Sequence, residues 1–118
     1  MKIGLTTHVL DLTNGIPAKN IKVELAEIHV SPDERVIVST AFTNEEGRIE
    51  SGLLSEIKSG EYELVFHVGT YFLMMGTPVS EPIFFNKIPV RFSINSEVKH
   101  YHIPLLISPW GYQTYRGS

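Results

Sequence analysis

The chain predicts an all-β sandwich, and three observations carry that prediction. Apolar residues recur at every second position through most of the 118 residues, β-branched and aromatic side chains fill those positions, and turn formers interrupt them at short intervals. Short strands separated by turn signals are the pattern of two sheets packed face to face. At this length a single domain over 1–118 is expected, long enough to bury roughly two thirds of its unfolded surface in one core.

Eight strands are expected, at residues 3–11, 20–30, 34–43, 47–50, 61–68, 87–95, 99–107 and 111–116. In the first, period two puts Thr6, His8 and Leu10 on one face and Thr7, Val9 and Asp11 on the other. The second turns Ile21, Val23 and Leu25 one way and Lys22 and Glu24 the other, before a turn at Ser31-Pro32-Asp33. The third is the β-branched run from Arg35 to Phe42. The turn Asn44-Glu45-Glu46-Gly47 and the short run Arg48-Ile49-Glu50 then predict a hairpin to the fourth. The fifth sets Tyr62, Leu64 and Phe66 against Glu61, Glu63 and Val65. The sixth sets Ile88, Val90, Phe92 and Ile94 against Pro89, Arg91 and Ser93, and both read as half-buried. The seventh is apolar on both faces at Ile103-Pro104-Leu105-Leu106-Ile107, as in a strand covered twice or held in an oligomer contact. One stretch departs from period two: Tyr71-Phe72-Leu73-Met74-Met75 holds strong helix formers and ends at Gly76, predicting one or two helical turns within 70–76 with a glycine C-cap. Residues 77–86, with Pro78 and Pro82, read as a loop.

Composition removes several classes of function. Ten basic and thirteen acidic residues give a net charge of −3, and no two basic residues are adjacent, so a nucleic-acid partner is disfavoured. The absence of cysteine takes away disulfides, thiolate metal ligands and cysteine nucleophiles together. The opening Met1-Lys2-Ile3-Gly4-Leu5 is interrupted by Thr6, Thr7, His8 and Asp11 before a signal-peptide core can form. No apolar run approaches the ~20 residues of a membrane helix. A soluble, cytoplasmic protein with no membrane partner is the expectation. Neither a Gly-x-Ser-x-Gly elbow nor a phosphate-binding glycine loop occurs.

The chemistry left is that of imidazole, guanidinium and hydroxyl groups. His100-Tyr101-His102 places two imidazoles on one side of a strand, a pair that can bind zinc or share proton transfer. A zinc site needs further ligands, and His8, His29, His67 and Asp11 show no metal-cluster spacing, so no metal site is expected. His29 and His67 read as surface or structural residues. Arg48, just after the turn glycine Gly47, alone reads as an ordinary surface arginine. The terminus, with Trp110-Gly111-Tyr112 and then Tyr115-Arg116-Gly117-Ser118, is too aromatic to hang free. Docked, it covers a sheet face or delivers a phenol, a guanidinium and a carboxylate to one spot. Such groups suit hydrolysis of a small, polar, anionic substrate by activated water.

The segments Thr7-His8-Val9-Leu10-Asp11, Gly15-Ile16-Pro17-Ala18, Asn44 to Arg48, His100-Tyr101-His102-Ile103-Pro104-Leu105-Leu106 and Tyr115-Arg116-Gly117-Ser118 together resemble the 5-hydroxyisourate hydrolases, the enzymatic branch of the transthyretin family. The resemblance covers the whole chain in order, and its closing tetrapeptide is specific to the enzymatic branch. It implies a sandwich of two four-stranded antiparallel sheets with one short helix after the fifth strand. It implies a homotetramer, a dimer of dimers with its sites in a central channel, and no cofactor. The reaction implied is hydrolysis of 5-hydroxyisourate to 2-oxo-4-hydroxy-4-carboxy-5-ureidoimidazoline in urate breakdown. By position, His8, Arg48 and His102 match the catalytic trio, Tyr115, Arg116 and Ser118 complete the substrate pocket, and His100 is left as a supporting or exposed histidine. Gln113 and Trp110 depart from the residues common at those positions. Two other classes compete: a carrier, which requires an apolar channel, and a non-catalytic sandwich module, for which the terminal tetrapeptide is dispensable.

Overall fold

The computed structural model describes residues 4–29 and 34–118. The predicted turn at Ser31-Pro32-Asp33, and the predicted strand ends at residues 3 and 30, lie outside the described residues. The strands are β1 (Gly4–Asp11), β2 (Ile16–Pro17), β3 (Lys22–His29), β4 (Glu34–Phe42), β5 (Arg48–Ile49), β6 (Gly60–Phe66), β7 (Ile88–Ile94), β8 (His100–Ser108) and β9 (Gly111–Thr114), with one helix, α1 (Val68–Met74), after β6.

They form the two sheets of a sandwich. One runs β4-β3-β6-β7, antiparallel throughout. The other runs β2-β1-β8-β9, with β5 also paired to β1. Because β5 pairs with Thr7 and His8 and β2 with Leu10 and Asp11, the two short strands share one edge of β1 end to end. That sheet therefore counts five strands but is four wide. The implied all-antiparallel arrangement fails at its centre, where β1 and β8 run parallel from Gly4 opposite His100 to Asp11 opposite Ile107. Period two reports which face a side chain takes and carries no strand direction.

The predicted hairpin between the third and fourth strands is also corrected. β4 lies on β3, whereas β5 lies on β1 in the other sheet, so the turn between them is a crossing. Thr43 fastens one side of it: its N–H donates to the Ile21 carbonyl (3.0 Å) and its hydroxyl to that of Ala18 (2.7 Å). Gly47 fastens the other. Its carbonyl accepts the Val9 N–H at 2.8 Å, its φ is +74°, and a Cβ there would stand 2.5 Å from the Val9 oxygen. Only glycine satisfies both the left-handed backbone and this approach.

The core lies between the sheets. Leu5 and Val9 of β1, Val23 and Leu25 of β3, Leu64 and Phe66 of β6, and Leu105 and Ile107 of β8 meet there with Tyr62. β6 is more deeply placed than half-buried, since Glu63 and Val65 on its outer side are buried as well. Glu63 stays charged because Arg35 (2.6 Å) reaches it from β4 across the intervening β3, and Arg91 (2.9 Å) from the neighbouring β7. Burial pushes its carboxyl up, and the hydrogen bonds from Arg91 and Arg35 outweigh that, leaving it below the ordinary value.

The helix begins at Val68, earlier than the window predicted, and strand pairing ends at Phe66 rather than 68. It buries Val68, Tyr71 and Phe72, the spacing of one helical face. Gly76 (φ +70°) ends it as expected: the Gly76 N–H bonds the Leu73 carbonyl and the Thr77 N–H that of Phe72, a Schellman closure. The Tyr71 hydroxyl then donates to Asp11 at 2.7 Å, tying the helix to the end of β1. Burial, then the bond to Asp11, pushes the Tyr71 phenol well above its ordinary value. At seven residues, α1 is too short to cross a membrane.

Candidate active site

Alternation along β1 and β8 sends Leu5, Val9, Tyr101, Ile103 and Leu105 into the core. It sends Thr6, His8, His100 and His102 to the opposite, outer face of the first sheet. The strand pairings bring these residues together. In the antiparallel β1/β5 pair His8 lies directly across from Arg48, and in the parallel β1/β8 pair Thr6 lies directly across from His102. His8 and His102 are therefore diagonal neighbours, with Cα atoms roughly 8 Å apart from the spacings of strands and residues.

Arg48 reaches this face because of the crossing turn. The Asn44 side-chain oxygen accepts the N–H groups of Glu46 and Arg48, both at 2.9 Å, and fixes the loop. The same loop aims the Glu46 carbonyl at His8 Nε2, 3.0 Å away. A carbonyl only accepts, so Nε2 of the neutral ring carries the proton and Nδ1 keeps its lone pair. Burial pulls the His8 imidazole below its ordinary value and the Arg48 charge pulls it further, against the Glu46 carbonyl and the Glu46 and Glu50 charges. His8 is thus a neutral base held beside a cation.

The second corner is built on β8. The Thr6 hydroxyl stands 2.7 Å from His102 Nδ1 and 2.9 Å from His100 Nε2. The two rings are nearly parallel, 21° apart, with centroids separated by 6.2 Å. The H-x-H pair is thus joined through a hydroxyl. The tail closes on the same strand: the Gly117 N–H donates to the His102 carbonyl at 2.7 Å. A Cβ on Gly117 would stand 2.7 Å from His102 Cδ2, so the tail can lie this flat on the histidine only with glycine there.

The other proposed tail residues are placed differently. Arg116 lays its guanidinium over the Tyr101 ring, 4.9 Å from the centroid, and Tyr101 is a core residue of the inner face. Within one chain, Arg116 is therefore an anchor for the tail rather than a neighbour of His8. Tyr115, 55% exposed, borders a cavity of about 320 Å³ with Arg91, Phe92, Tyr101, Thr114 and Arg116, at the open side of the sandwich between β7 and the tail. Ser118 is exposed. Of the sequence candidates, the structure pairs His8 with Arg48 and sets His102 diagonally beside them. His29 bonds Glu27 and His67 bonds Glu24, in keeping with the surface or structural reading of both. Thr6, Asn44 and Gly117 were not assigned parts of the site from sequence. Thr6 shares a face with His8, but only the parallel pairing reveals that it faces His102.

The chain is similar to known proteins along nearly its whole length. Residues 5–117 match the family model described as Transthyretin: HIUase/Transthyretin family. The chain is 45% identical to the 5-hydroxyisourate hydrolase 2 of Rhizobium meliloti (strain 1021), covering 97% of this chain and 95% of that protein. Among solved structures it is similar to the 5-hydroxyisourate hydrolase of Klebsiella pneumoniae, with a TM-score of 0.81, 32% identity and complete coverage of both chains. It is also similar to (S)-allantoin synthase, with a TM-score of 0.87 and 42% identity over 97% of this chain, which spans 43% of that longer one.

Proposed function

The chain belongs to the HIUase/Transthyretin family, and from that premise we propose that it hydrolyses 5-hydroxyisourate to 2-oxo-4-hydroxy-4-carboxy-5-ureidoimidazoline. The observation that carries the proposal is His8, a base held neutral by burial and by Arg48 and facing that guanidinium across paired strands. Water needs a base to lose a proton as it attacks the ring carbonyl, and the oxygen of that carbonyl needs a cation as charge gathers on it. An imidazole, that of His8 or His102, takes the proton. Arg48 holds the anionic purine and the developing oxyanion. Tyr115, Arg116 and Ser118 complete the substrate pocket.

The assembly proposed is a homotetramer, a dimer of dimers, in which outer faces of the first sheet line a central channel. The outer edges of β7 and β9 support it, because each is a strand with one side unpaired among the described residues and open to a second copy. Arg116, turned inward within one chain, would then act on the pocket through the docking of the tail. Cytoplasmic residence completes the proposal.

The test is the ultraviolet decay of 5-hydroxyisourate freshly made from urate by urate oxidase. His8→Ala, Arg48→Ala and His102→Ala should each slow catalysed decay by roughly 10²- to 10⁴-fold. Near-wild-type decay in any one of them removes that residue from the mechanism.

A further inference from the structure

Thr6 is 2% exposed, so its hydroxyl proton has no bulk water to go to. Both neighbours of its oxygen are imidazole nitrogens, His102 Nδ1 at 2.7 Å and His100 Nε2 at 2.9 Å. A hydroxyl carries one proton and two lone pairs, so it donates to one of these nitrogens while accepting from the other. The contrast with His8 is informative. His8 Nε2 ends on the Glu46 carbonyl, which accepts a hydrogen bond and cannot pass a proton on. His102 Nδ1 ends on a group that can.

We propose that Thr6 is a proton relay that couples His102 to His100, so that His100 is the terminal proton holder of the site. The inference rests on the hydrolytic reading above for its use in catalysis, and on the three side chains alone for its existence. Before reaction, His102 carries its proton on Nδ1 and donates to Thr6, while Thr6 donates to the lone pair of His100 Nε2. When water attacks, His102 Nε2 takes the water's proton, the Nδ1 proton passes to the Thr6 oxygen, and the Thr6 proton passes to His100 Nε2. His102 ends neutral and protonated on Nε2, Thr6 is again a hydroxyl, and His100 is an imidazolium. One proton has entered and none is lost. The positive charge sits two residues back along β8, and reversal of the relay returns a proton to the leaving nitrogen. Thr6 and His100 are then positioning residues that act through His102.

Two measurements test this. In mixtures of light and heavy water, the rate of 5-hydroxyisourate hydrolysis should show a bowed proton inventory for the wild type, as several protons move together. Thr6→Val keeps the shape of the side chain and should straighten that curve, lowering kcat on the order of tenfold to a hundredfold with KM within about twofold. Thr6→Ser should restore both, and His100→Gln, which keeps the threonine, should straighten the curve as Thr6→Val does. Nitrogen NMR of the histidine-labelled protein without substrate should place the His102 proton on Nδ1 in the wild type and move it toward Nε2 in Thr6→Val. Tautomers that do not change in Thr6→Val, or a wild type protonated at both His102 Nδ1 and His100 Nε2, would overturn the relay. Tautomers that shift while turnover does not would keep the proton link and overturn the hydrolytic use of His102.

Discussion

On the outer face of the second sheet, Glu63 sits between Arg35 and Arg91; on the outer face of the first, Thr6 sits between His100 and His102. Both central side chains are nearly out of water, and each is flanked by two groups from its own sheet. The protons differ. Guanidinium groups do not give theirs up in a protein, so the Glu63 cluster is a set of fixed charges that joins three strands. Imidazoles and a hydroxyl exchange protons near neutral pH, so the Thr6 cluster can change state without moving a strand. The sheet supplies proximity in both cases, and residue type decides whether that proximity suits stability or chemistry.

The two clusters should therefore separate under mutation. The largest effect is expected for Arg48→Ala, which should cost roughly 10²- to 10⁴-fold in turnover while urea unfolding stays close to wild type. A large loss of stability in that variant would erase the distinction. Next comes Glu63→Gln, which should lower the unfolding free energy by about 1–3 kcal/mol, discounted because Arg35 and Arg91 are partly exposed, with turnover per folded molecule unchanged. The Glu63 carboxyl lies below its ordinary value when folded, so its stabilising share is complete above about pH 4.3 and is lost as pH falls through the folded value. The variant should lack that portion of the acid loss.

The smallest effect is electrostatic. His8 is held below the ordinary histidine value of about 6.5, so its neutral, basic form persists into mildly acidic solution and disappears as pH falls through the lowered value. Because Arg48 is the second cause of that lowering, Arg48→Gln should move the His8 midpoint upward, read from its ring protons by NMR. A midpoint that stays put would show that burial alone sets it.

Facing was legible in the sequence and partnership was not. Ile21, Val23 and Leu25 enter the core while Lys22 and Glu24 do not, and Tyr62, Leu64 and Phe66 do the same in β6, because period two is a local property of the backbone. The helix stop at Gly76 was equally local. The crossing at Asn44–Gly47 was misread as a hairpin because the deciding contacts, Thr43 to Ala18 and Gly47 to Val9, are made with residues remote in sequence. His8, Arg48 and His102 could be named by resemblance, but the reason Arg48 meets His8 is that same crossing. Thr6 carried no signal of its own, since an alternating threonine beside a histidine is common and its partners arrive from a parallel strand.

That parallel pairing of β1 with β8 also dictates when the site can exist. Thr6 and His102 are 96 residues apart, and the first sheet has no inner pairing partner for β1 other than β8 among the described strands. A nascent chain can fold β3, β4 and β6 against one another early, but β1 must wait, one edge open, until β8 has been made. Closing so long a loop is entropically slow, and such non-local pairings belong to the late steps of folding. The face that carries His8 and His102 is therefore expected among the later parts to assemble, and a chain interrupted before β8 leaves one edge of β1 open to other strands.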